Sequence, residues 1–102
     1  MQISIEAFPD NGSDALRALV LRKTERVGKF YDRIVDAEAY LKDNGDPKEG
    51  CSAELRVNVP GDTLFCEERA ESYEEAIDKA SRAMERQVKR FKERLADSPN
   101  LR

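Results

Sequence analysis

Histidine is absent from this 102-residue chain, cysteine occurs only twice, and aromatic residues make up only 7% of it. Without imidazole there is no side chain that titrates near neutral pH, no Ser-His or Cys-His nucleophile and no histidine metal site. Carboxylates are plentiful but scattered, so none stands out as an acid/base pair. Glycine numbers five, and "GDPKEG" at 45–50 lacks both the spacing and the Lys-Ser/Thr ending of a phosphate-binding loop. These gaps argue against an enzyme and against any cofactor or metal. Two cysteines, Cys51 and Cys66, cannot make the disulfide framework of a small secreted domain, which fits a reducing compartment and ordinary buried thiols. No apolar run approaches the ~20 residues needed to span a bilayer, and "MQISIEAFPD" has neither a basic nor an apolar leader region. A cytoplasmic protein with no membrane partner is expected.

Hydrophobic residues are 39% of the chain and charged residues 38%, polar for a globular protein yet too apolar for a disordered one. The length suits one domain, assigned to 1–97, followed by a short disordered tail at 98–102. "QISIEAF" at 2–8 alternates as a half-buried strand does, and "PDNGS" ends it. Ser13 is placed to cap a helix running to about Tyr31, with Leu16, Val20, Val27 and Tyr31 on one face and Gly28 weakening its end. A second strand alternates Val35, Ala37, Ala39 and Leu41 against Asp36, Glu38, Tyr40 and Lys42, and a polar loop follows at 43–50. Ala53, Leu55, Val57 and Val59 form one face of a third strand, joined through "PGD" to a fourth, "TLFCEERA". Pairing Val59 with Thr63 sets Cys66 opposite Arg56 and far from Cys51, which argues against a disulfide.

The last element begins with Ser72 and Glu75 in a capping-box pattern, and Tyr73, Ile77, Ala80, Met84, Val88, Phe91 and Leu95 recur at helical spacing to about Ala96. The order β-α-β-β-β-α, with one apolar stripe per helix, predicts an α+β fold. Both helices should lie on one face of a four-stranded, mostly antiparallel sheet in a two-layer sandwich.

Formal net charge is −3, yet residues 15–33 carry +4 and residues 79–94 carry +5, leaving −12 for the rest. At 100° per residue, Lys79, Arg82, Arg86 and Arg90 line one ridge of the second helix, with Lys89 beside them. Arg22, Arg26, Lys29 and Arg33 repeat that spacing on the first. Such ridges can be solvated faces supported by pairs such as Glu75 with Lys79 or Glu85 with Lys89. Two ridges on helices packed side by side, however, set like charge against like charge, a cost that a bound polyanion relieves. RNA suits a broad two-helix surface, and nothing matches a helix-turn-helix, zinc finger or basic zipper that would read DNA. Tyr40 and Phe65 face the open side of the sheet, where Phe65 reads as ordinary surface rather than a base-stacking platform.

Further residues carry a resemblance: "ALR" at 15–17, Lys23, "DRI" at 32–34, "YEEAID" at 73–78 and "RQVKRFKERL" at 86–95. With these blocks the chain resembles, over nearly its whole length, the bacterial ribosome hibernation-promoting factors and ribosome-associated inhibitor A, also called sigma-54 modulation proteins. The resemblance implies a fold like an extended double-stranded-RNA-binding domain. It also implies docking on small-subunit rRNA in the mRNA and tRNA path, and silencing of translation in stationary phase or stress. The implied rRNA contacts are Lys23, Arg33, Arg86, Arg90 and Lys92, with Gln87, beside the Arg22, Arg26, Lys29, Lys79, Arg82 and Lys89 of the charge pattern. The partners expected are the ribosome and a second hibernation factor. Thr24 and Gly28 depart from the family pattern, and the end of the chain soon after the second helix resembles the short form. A generic duplex-RNA-binding module acting away from the ribosome is the alternative.

Overall fold

The computed structural model describes residues 1–97, so the tail expected at 98–102 lies outside the described residues. The strands are β1 (Gln2–Ala7), β2 (Asp36–Asp43), β3 (Cys51–Val59) and β4 (Asp62–Ala70), and the helices are α1 (Asp14–Val27) and α2 (Tyr73–Asp97). The sheet runs β1-β2-β3-β4; β1 is parallel to β2, while the other two pairings are antiparallel. The α+β architecture expected from the alternating patterns is the one observed, with a mixed sheet because α1 carries the chain back between its first two strands.

Local signals explain the boundaries. The Ser13 hydroxyl accepts from the Leu16 N–H at 3.0 Å, and the Ser72 hydroxyl accepts from the Glu75 N–H at 3.1 Å, so both helices start at their serine caps. α1 ends at Val27 rather than continuing to Tyr31. From Gly28 to Phe30 the chain tightens into a 3-10 turn, and Tyr31 is already extended at φ −159° and ψ 119°. Tyr31 still reaches the core, where its ring meets Phe91 edge-on at 5.7 Å. Val35 precedes β2 and is 58% exposed, so the buried face of that strand begins at Ala37.

The β3–β4 hairpin corrects the expected register by one residue. Val59 pairs with Asp62 across a two-residue turn in which Pro60 precedes Gly61 at φ 84°, a Pro-Gly order suited to a positive second φ. Cys66 therefore sits opposite Leu55, not Arg56, and both turn inward. A slip of one would have reversed the faces of the strand. Cys51 lies at the far end, opposite Ala70, and both thiols are free.

The core joins Val20 and Val27 of α1, Ala39, Leu41, Leu55 and Val57 of the sheet, and Ile77, Met84 and Val88 of α2, all at most 1% exposed. Thr24 is buried among them because its hydroxyl donates to the Val20 carbonyl at 2.8 Å.

Met84 has no exposed surface, so truncating it leaves a cavity that the sheet below cannot fill. Met84→Ala is expected to cost about 2–5 kcal/mol in denaturant unfolding. Burial pushes the Cys66 thiol up to about 11. Alkylation of the folded protein at mildly alkaline pH should modify the more accessible Cys51 and reach Cys66 only after denaturation.

Candidate nucleic-acid interface

Packing the apolar stripe of each helix inward turns the opposite side of the helical layer to solvent. Arg22 and Arg26 project from α1, Lys29 from the 3-10 turn, and Arg82, Arg86, Lys89, Arg90 and Lys92 from α2, all exposed. Lys23, Lys79 and Gln87 are half-buried. Arg33 is exposed but lies in the segment before β2, not on the α1 ridge where its spacing suggested. The helix end at Val27 removes it from that series.

The two ridges do not meet as bare like charges. Asp78 of α2 lies between the helices: one carboxylate oxygen takes the Lys23 ammonium at 2.8 Å and the other takes the Arg82 guanidinium at 3.2 Å. One heptad further along, Glu85 takes Arg26 at 3.3 Å. The hydrogen bond from Lys23 holds the Asp78 carboxyl below the usual carboxylate range, with the charges of Lys23, Arg82 and Arg26 adding to it.

The i,i+4 pairs expected at Glu75–Lys79 and Glu85–Lys89 are not formed. Lys79 donates instead to the Arg69 carbonyl of β4 at 2.6 Å, and Lys89 lies 4.5 Å from the centre of the Phe30 ring. Gln87 donates to the Phe65 carbonyl at 2.6 Å, so its amide serves the sheet edge. The expected site residues thus divide by their partners. Among the described residues, Lys79 and Lys89 have these contacts but no carboxylate within ion-pairing distance, and Arg22, Lys29, Arg33, Arg86, Arg90 and Lys92 have neither. A depression of roughly 380 Å³ is lined by Arg22, Lys23, Arg26 and Lys29 together with the acid Glu25. Asp78 and Glu85 are the residues that the charge pattern missed. Their seven-residue separation, which sets them on one side of α2, was the available signal.

The open face of the sheet is occupied by its own contacts. The Arg56 guanidinium lies 5.3 Å from the centre of the Tyr40 ring and 5.6 Å from that of Phe65, and it pairs with Glu54 at 2.9 Å. The cationic helical face is therefore the stronger candidate for binding a polyanion.

Residues 4–96 match the model of the sigma 54 modulation protein / S30EA ribosomal protein family. The chain belongs to that family. A ribosome hibernation promotion factor of Deinococcus radiodurans is 34% identical over 84 residues, covering 80% of this chain and 44% of the relative, so the chain spans less than half of that protein's length. The crystal structure of the Thermus thermophilus Protein Y N-terminal domain aligns with a TM-score of 0.75 at 33% identity, covering 89% of this chain and 99% of that one. A ribosomal subunit interface protein from Coxiella burnetii shares the fold, with a TM-score of 0.78 at 20% identity over 91% of this chain and 99% of its own. In this S30EA chain, the "YEEAID" block ends on Asp78, the acid that links the two helices.

Asp78→Asn removes a partly exposed ion pair and is expected to cost about 0.2–1 kcal/mol near neutral pH. Because the folded-state value is lowered, the contribution is complete above the usual carboxylate range and fades as pH falls through the lowered value. Urea melts of the two proteins should therefore differ at neutral pH and converge in strong acid.

Proposed function

We propose that this S30EA-family chain binds small-subunit rRNA through its helical face, occupies the path of mRNA and tRNA, and so holds ribosomes inactive in stationary phase or under stress. The observation that carries this reading is the set of cations Arg22, Lys29, Arg86, Arg90 and Lys92 on the helices and the 3-10 turn, with Arg33 in the segment that follows, which among the described residues of an acidic chain have no carboxylate partner. Their attraction to phosphate needs no base-specific contact, which suits a folded RNA surface recognised by shape. The mechanism is steric and involves no bond making. α2 packs against β3, β4 and α1, which fixes the cations in place before binding and limits the ordering entropy lost on association. The family match and the likeness to a Deinococcus ribosome hibernation promotion factor support the ribosome as the partner. The single domain, Lys23, Arg26, Lys79, Arg82, Gln87 and Lys89 as supporting contacts, and a second hibernation factor as a further partner belong to the same reading.

Sedimentation with purified small subunits tests it. The protein should comigrate at low salt and dissociate as salt rises, each neutralised phosphate adding roughly 0.7–0.9 to the log–log slope. Arg86→Glu combined with Arg90→Glu should weaken binding at least about tenfold and flatten that slope by about one to two units. Comigration of the double variant equal to that of the parent, or comigration indifferent to salt, overturns the proposal.

A further inference from the structure

We infer that Asp78 and Glu85 are specificity determinants of the RNA-binding face: by holding Lys23, Arg26 and Arg82 in ion pairs they form a charge-neutralised median between its two cationic crests and select against polyanions that place phosphate there. The inference rests on the rRNA-binding reading and goes beyond it by assigning a role to acids rather than to bases. Both carboxylates project from α2 into the space between the helices, and each holds a cation reaching across from α1, Lys23 at 2.8 Å and Arg26 at 3.3 Å. Asp78 also holds Arg82 of its own helix at 3.2 Å, so three of the basic side chains are already neutralised in this strip. By helical spacing Arg22 and Lys29 lie on one side of it and Arg86 and Arg90 on the other; all four are exposed and, among the described residues, without carboxylate partners.

A phosphate approaching either crest meets unpaired cations. One approaching the median meets two carboxylates and, apart from Lys89 against the Phe30 ring, cations already held in ion pairs. An RNA surface whose phosphates fall on the crests binds without that cost, whereas a polyanion of arbitrary spacing incurs it wherever its backbone crosses between the helices. Specificity of this kind comes from an unfavourable contact built against the wrong partner. The half-buried positions of Asp78 and Glu85 keep both acids beside their cations rather than swinging free.

The test measures affinity for a short duplex RNA and for purified small subunits, each at two salt concentrations, for the parent, Asp78→Asn, Glu85→Gln and the double variant. Releasing Lys23, Arg26 and Arg82 should tighten duplex binding by the double variant about tenfold and steepen its salt slope by roughly one to two units. Affinity for small subunits, to which Lys23, Arg26 and Arg82 contribute only as supporting contacts in their paired positions, should gain less than about threefold, so discrimination falls. Each single variant should move in the same direction by a smaller amount, which keeps the test readable if the double variant is poorly folded. Lys23→Met breaks the same ion pair but leaves the acid, and it should weaken duplex binding. A structural role alone would move Asp78→Asn and Lys23→Met in the same direction. Duplex affinity unchanged or weakened in the acid variants, or equal gains for both ligands, overturns the inference. Failure of the parent to bind small subunits overturns the proposed function instead, while the duplex measurements still report on the median.

Discussion

Everything on the outer surface depends on how α2 is seated. Ile77, Ala80, Met84 and Val88 have no solvent exposure and Phe91 has 8%, so the rotation of this long helix about its axis is fixed by its fit to β3, β4 and α1. Turning it by a single residue position, about 100°, would bring charge into the core at a cost no surface contact could offset. The direction of every basic side chain on the far side follows from that apolar seating. A face set by core packing is also a rigid one, so the same side chains that stabilise the fold hold the cations in place.

Formal charge is distributed accordingly. The chain is acidic overall, at −3, yet its helical segments carry +4 and +5, and the fold turns those segments to one side of the sheet. Within that layer the ion pairs are partly exposed, with Lys23 at 26% and Asp78 at 30%, so they contribute little to stability. Their larger effect is on arrangement: they decide which cations remain available to a ligand.

The elements were legible because period-two and helical alternation are direct consequences of burying one face. What the sequence concealed lay where a local competitor outweighed periodicity. Val35 continues the apolar alternation of β2 but precedes the strand and is solvated. The short Pro60–Gly61 turn set the hairpin register, and counting from Thr63 missed it by one. Gly28 and the 3-10 turn took Arg33 off the ridge its spacing suggested. The candidate site was legible as a charge pattern but not as a set of partners. Which acid reaches Lys23 or Arg26 depends on how the two helices meet, and periodicity on one helix carries no information about its neighbour. Thr24, unexpected in an apolar position, is accommodated because its hydroxyl turns back to the Val20 carbonyl.

The contacts of Gln87 and Lys79 have a colloidal consequence. β4 is an outer strand of the sheet, and these two side chains donate to its Phe65 and Arg69 carbonyls. A neighbouring chain seeking to extend the sheet finds those acceptors taken. This edge of the sheet is thus guarded by the same helix that bears the cationic face.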